Sequence, residues 1–241
     1  MANSIQQVFK PTVLSTIVLA LLAALFAYLG MWQTSRSAEK FELEHQFANA
    51  TIMPLSDALK QDQRFAKVNA PGNFDTRRHI LLDNQIYKGQ PGVHVYTPFF
   101  AEDGTTILVN RGWLPLGADR NTLPFVPTPQ DDLSVNGRLN TFPVPGRSLG
   151  DADKLQNDQW PQLVTYLKQA DIAIALGTDI APWVVQLAPE DKSGFEGRDW
   201  KPVYLSSQKH SAYAFQWYAM TFITVVLWLA GGIRRAKGNH S

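Results

Sequence analysis

Residues Val13 to Met31 read VLSTIVLALLAALFAYLGM, and no charged side chain occurs anywhere from Pro11 to Ser35. At about 1.5 Å rise per residue, these 19 positions make a helix of roughly 29 Å, the thickness of a bilayer hydrocarbon core. A second charge-free run, Ser211 to Ile233 (SAYAFQWYAMTFITVVLWLAGGI), is long enough to do the same. Buried core helices seldom stay uncharged over such lengths, so both runs are read as membrane spans. The first exceeds the apolar stretch of a signal peptide and has no small-residue cleavage site near its end, which makes it an uncleaved anchor.

Working outward from the spans, Lys10 is the only charge before the first, and Arg234, Arg235 and Lys237 follow the second with no acid in either tail. The positive-inside bias then puts both tails in the cytoplasm. This predicts cytoplasmic tails at 1–12 and 234–241, transmembrane helices at 13–31 and 211–233, and one extracytoplasmic domain over 36–210. The N-terminus is short and poor in Arg for an organelle transit peptide, so the expected location is a bacterial inner membrane, multi-pass, with the domain in the periplasm.

Between the spans the texture changes. RSAEKFELEHQFA (36–48) continues the first helix with water-facing charges, and PLSDALKQD (54–62) reads as a short helix with Pro near its start. VHVYTPFF (93–100) and TTILVNRGW (105–113) flank Glu102-Asp103-Gly104, a hairpin signal in which glycine supplies the positive φ of a type I′ or related turn. Further strands are expected at 79–84, 133–139, 182–187 and 202–205, and one helix between Gln162 and Leu176 stopped by Gly177. The prolines of 114–130 and 143–145 mark loops. The fold class is an α+β membrane protein: two transmembrane helices flanking a β-rich extracytoplasmic domain.

The 22 Lys and Arg nearly balance 21 Asp and Glu, so there is no bulk charge to draw nucleic acid. Cysteine is absent, which removes disulfides, thiolate nucleophiles, thiolate metal sites and covalent haem attachment. Gly146-Arg-Ser148-Leu-Gly150 matches the G-x-S-x-G nucleophile elbow. Pro143 and Pro145 before it and the lack of a suitable later histidine deny it the strand–turn–helix context. Asp131-Asp132 and Asp151-Ala-Asp153 lack EF-hand spacing and read as solvated loop acids. His79 and His94 fall in strands as core or surface histidines. No catalytic constellation survives, and the chain is not expected to be an enzyme.

The second span opens Lys209-His210-Ser211-Ala212-Tyr213-Ala214-Phe215-Gln216-Trp217-Tyr218. Helical spacing puts His210, Tyr213, Ala214 and Trp217 on one face, where an imidazole, a small residue and flat aromatics suit a planar apolar ligand. An interfacial aromatic belt with a hydrated histidine accounts for the same composition. The first span ends Gly30-Met-Trp32-Gln33-Thr-Ser-Arg36, with Trp32 and Arg36 one turn apart at the same leaflet as His210; singly, these read as an interfacial anchor and a snorkelling cation.

Gly30-Met-Trp32-Gln33-x-x-Arg36 resembles the L-G-x-W-Q-x-x-R motif of the surfeit-locus family of cytochrome c oxidase assembly factors. The resemblance continues in order through Gly72-Asn-Phe74-Asp75, Pro91-Gly92-Val-His-Val-Tyr-Thr97-Pro98, Leu108-Val-Asn110-Arg111-Gly112-Trp113-Leu-Pro115 and His210-x-x-Tyr213-Ala214-x-Gln216-Trp217-Tyr218. Asn157-Asp-Gln-Trp160 matches the family's N-x-W region only loosely. The resemblance implies a role in the biogenesis of haem-copper oxidases, with haem a as cofactor. It makes His210 the ligand of the haem iron and places Trp217 nearby. Tyr213, Arg36, Trp32 and Gln33 complete the expected site, Arg36 as a partner for a propionate. The partners implied are the oxidase catalytic subunit, other assembly factors and membrane lipid. The alternative is a cofactor-free scaffold that steadies an assembly intermediate.

Overall fold

The computed structural model describes residues 9–117, 122–144, 155–156, 159–203 and 205–238. The G-x-S-x-G stretch, Asp151, Asp153 and Asn157 lie outside the described residues. The chain divides into two compact units, one of Met1–His45 with Pro202–Ser241 and one of Gln46–Lys201.

The first unit is a pair of long helices, α1 (Val13–Ala48) and, at the end of the chain, the helix Ser207–Gly238. Both are long and apolar enough to cross a membrane. The expected water-facing continuation of the first helix is present, since α1 runs unbroken to Ala48. The helices are antiparallel: Phe9 meets Trp228, Phe26 stacks on Trp217 and Ser37 meets Ser211 in descending order. Close approach rests on Gly30, where a Cβ would sit 2.6 Å from the Tyr218 ring. Small residues at the seam are what let two helix backbones pack where lipid offers no hydrophobic drive.

The second unit contains β1 (Ile52–Pro54), α2 (Leu55–Lys60), β2 (Lys67–Phe74), β3 (Ile80–Tyr87), β4 (Gln90–Ala101) and β5 (Thr106–Pro115). These are followed by β6 (Leu133–Asn140), β7 (Gln162–Val164), α3 (Gln169–Leu176) and β8 (Val184–Leu187). The terminal helix Ser207–Gly238 is therefore α4. The strands run in the order β1-β2-β6-β8-β5-β4-β3-β7, and a further β2–β4 pairing closes β2, β6, β8, β5 and β4 into a ring. Closure removes most of the unpaired edge that invites aggregation, and the strands at the margins, β1 and β7, have three residues each. Inward-facing side chains fill the ring: Val68, Ala70 and Phe74, Val135 and Leu139, Val185 and Leu187, Ile107 and Val109, with Phe99 from β4. A second cluster, including Ile80, Leu108, Ile172, Leu176 and Val184, packs α3 on the outer wall.

The hairpin forms as read, with β4 antiparallel to β5. Its turn is a three-residue loop rather than type I′, because Gly104 (φ 85°) has positive φ and Asp103 does not. Asp103 instead accepts a hydrogen bond from the Thr105 amide. The expected helix from Gln162 to Leu176 is corrected. Gln162–Val164 pairs in parallel with β3, Lys168 is extended, and α3 starts only at Gln169, ending at Gly177 in the left-handed region as expected. No strand is present among the described residues of 202–205. Strand β2 is not among the strands expected from the sequence. Small residues fit there because Gly72 lies against the Phe100 carbonyl, which excludes any side chain.

Candidate functional site

Family-like motifs of the sequence sort into two places. Those of the β unit build its interior. Arg111 continues the inward parity of Ile107 and Val109 and is 1% exposed. Its guanidinium lies between the rings of Phe74 and Phe195, at 4.9 and 4.7 Å. It donates to the Ser193 carbonyl, the Thr128 hydroxyl and the Pro127 carbonyl, each at 2.8 Å. A planar fork with five donors can tie two loops to one strand in this way, and a lysine cannot. Burial lowers its pKa to about 10, so it stays charged at neutral pH. The sequence reading missed this role, although the alternation that places Arg111 inward was visible in β5.

His79 and His94 behave as core histidines. His79 Nδ1 lies 3.1 Å from the Thr97 hydroxyl, and Asn110 Nδ2 faces His94 Nδ1 at 3.5 Å. Burial lowers both to a pKa of about 4, with the Arg111 charge adding to the effect at His79, so both are neutral at pH 7.

The motifs on α1 and α4 meet each other. His210 is buried, and its Nδ1 is 2.7 Å from Gln33 Oε1. With an amide oxygen as acceptor, Nδ1 is the donor, which in a neutral imidazole is the tautomer that ligates a metal through Nε2. Ala214, one turn further, is buried on the same face. Below it Trp217 stacks on Phe26 of α1, with centroids 5.8 Å apart. Tyr218 covers Gly30 and brings its hydroxyl to 3.3 Å from Thr34 Oγ1. Above it Ser37 Oγ donates to the Ser207 carbonyl, and Glu44 accepts from the backbone and hydroxyl of Ser207, closing the first turn of α4.

Other expected site residues lie elsewhere on the pair. Trp32 and Arg36 are exposed on α1; the guanidinium sits 5.9 Å from the Trp32 ring and pairs with Glu39 at 2.6 Å. Tyr213 is exposed on α4. The structure thus joins Gln33 to His210 and gives Trp217 to the helix seam, while Trp32, Arg36 and Tyr213 face outward. Tyr218, Ser37 and Glu44 are seam residues that helical spacing on a single helix does not single out.

The profile of the SURF1 family matches residues 20–222. The chain belongs to the SURF1 family. SURF1 relatives include a SURF1-like protein of Mycobacterium tuberculosis, 22% identical over 222 residues, covering 88% of this chain and 80% of the relative. Surfeit locus protein 1 of Takifugu rubripes is 24% identical over 242 residues, covering 91% and 97%. That of Xenopus tropicalis is 30% identical over 127 residues, covering 44% and 41%. The SURF1 match spans both halves of the helix seam, including Gln33 and His210.

Proposed function

We propose that this protein is a membrane-anchored assembly factor for haem-copper cytochrome c oxidase that holds haem a through His210 and helps to deliver it to the catalytic subunit. In this reading it sits in a bacterial inner membrane with the β unit in the periplasm and both tails in the cytoplasm, and it performs no catalysis of its own. Family membership supports the assembly role. The observation that carries the ligand assignment is the 2.7 Å contact between Gln33 and His210, which joins the two helix motifs and engages the ring through Nδ1.

The residues fit one axial position. Gln33 holds the tautomer and orients the ring, the role that oxygen acceptors play behind metal-bound histidines. Ala214 keeps bulk away from the imidazole face, while the Tyr213 and Trp32 rings stand on the outward faces of the two helices. Arg36 lies within one turn of Gln33 but is paired with Glu39, which a propionate would have to displace. When bound, haem would supply the iron and the planar apolar surface; it is cargo for the oxidase.

The scaffold reading draws on a different fact. His210 is only 9% exposed and already has a partner, as a purely structural polar contact between helices would. Protein purified from cells that make haem a separates the two. A Soret band lost in His210→Ala, with membrane insertion unchanged, supports the haem reading. Colourless wild-type protein, or full haem occupancy in His210→Ala, removes His210 as ligand and leaves the scaffold.

A further inference from the structure

The outer wall of the β ring carries an arrangement that the helix site does not use. Antiparallel register places Lys67 of β2 directly opposite Arg138 of β6, and Arg138 directly opposite Gln186 of β8. Directly opposed residues share a face, so two cations and an amide stand in one row across three strands. Like charges at such positions repel, and neither cation has an ion-pair partner among the described residues. One step along, the opposed pair Asn69 and Asn136 satisfies itself by a 2.7 Å hydrogen bond, so the sheet does not lack neutral solutions here.

The row forms part of the wall of an open cavity of about 500 Å³, flanked by Phe47 and Trp200. Both flanks are held in place. Arg138 donates to the Phe47 carbonyl at 2.7 Å with its guanidinium 4.0 Å from that ring, and Trp200 Nε1 donates to the Leu187 carbonyl at 2.7 Å. Arg198, also in the wall, is consumed by the carbonyls of Phe195, Ala188 and Asp191. Of the two acids there, Glu190 acts on the Arg198 charge and Asp199 lies 3.7 Å from Lys201. Lys67 and Arg138 therefore carry the wall's positive charge without an ion pair among the described residues, Arg138 being held by the Phe47 and Phe65 carbonyls. Ile52, 75% exposed in the same wall, is apolar surface that gains by being covered.

We propose that this cavity docks an acidic segment of a partner polypeptide, with a carboxylate seated between Lys67 and Arg138 and apolar neighbours packed on Phe47, Trp200 and Ile52. Rigid aromatics around an arginine are the composition of interface hot spots, and charge complementarity selects an acidic partner. The site is independent of haem binding at His210. Sequence parity disclosed none of it, because Lys67 and Arg138 are neighbours only through the register of β2 and β6.

Calorimetric titration of the full-length protein in detergent with the peptide acetyl-Glu-Leu-Glu-Leu-Glu-amide, its Gln-for-Glu counterpart and inorganic phosphate tests the assignment. The acidic peptide should bind, the Gln counterpart should not, and Lys67→Gln should weaken binding by about tenfold. The same substitution should raise the thermal midpoint of the free protein, since it removes one of two like charges at directly opposed positions of β2 and β6. No binding of the acidic peptide, equal binding of the Gln counterpart, undiminished binding to Lys67→Gln, or phosphate binding as tightly as the peptide would each overturn the proposal. A lowered midpoint for Lys67→Gln would equally refute the opposition of like charges on which it rests.

Discussion

Gln33 and His210 are 177 positions apart in the chain and share a 2.7 Å hydrogen bond between two antiparallel helices. Neither helix explains its own residue. A glutamine and a histidine placed at the ends of apolar spans are costly unless each supplies the other's partner.

Replacing Gln33 by Leu should leave Nδ1–H of His210 without its acceptor and destabilise the helix pair by about 1 kcal/mol. Gln33→Glu, which keeps an acceptor oxygen, should restore the loss in part. Thermal unfolding in detergent, followed by circular dichroism, is the measurement. Equal midpoints for Gln33→Leu and wild type would show that the contact contributes nothing.

The absence of native cysteine makes the seam directly testable. Ser37 and Ser211 hydroxyls are 2.7 Å apart, so a Ser37→Cys, Ser211→Cys double variant should form an intramolecular disulfide in high yield on mild oxidation. Adding Gly30→Val should cut that yield, because its side chain would strike the Tyr218 ring. Undiminished cross-linking would mean that the helices tolerate a wider spacing.

Arg111→Met should cost several kcal/mol, on the order of 3 or more, because it removes a buried guanidinium and its three hydrogen bonds to Ser193, Thr128 and Pro127 at once. Arg111→Lys should rescue little, since one ammonium cannot span Ser193, Thr128 and Pro127. Urea denaturation of each variant would decide it. A lysine variant as stable as wild type would mean that charge, rather than the fork, is what the site requires.

His79 and His94 have folded pKa values of about 4, below the ordinary 6.5. The unfolded chain then binds more protons between those values, so the stabilisation from keeping both neutral is complete above pH 6.5 and is lost as pH falls toward 4. Each group contributes up to about 3 kcal/mol by linkage. Unfolding midpoints of the β unit should fall between pH 7 and 5, and His79→Gln should flatten the slope. A flat profile for wild type would indicate that both rings are protonated without cost.

Much of the architecture was legible before any coordinates. The two long apolar helices, the helical extension to Ala48, the β4–β5 hairpin and the Gly177 stop follow from local rules, namely apolar length, Asp-Gly turns and left-handed glycine. The failures share a cause. Gln162–Val164 is a strand because β3 offers an edge, and β2 is a strand through its pairing with β6 and β4, where Gly72 lets the Phe100 carbonyl approach. In both cases long-range pairing outweighed local preference.

For the site, the chain alone determined which residues sit at the helix ends and that five motifs occur in family order, since both depend only on spacing along the sequence. Which of them touch was decided by the tertiary structure. One helix can place Trp32, Gln33 and Arg36 at the same depth, but only the facing of the second helix turns Gln33 to His210 and leaves the other two outward. The same holds for the barrel wall, where Lys67 and Arg138 meet through strand register. Hydrogen bonds and charge contacts act over a few ångströms, and that distance is set by folding rather than by separation along the chain.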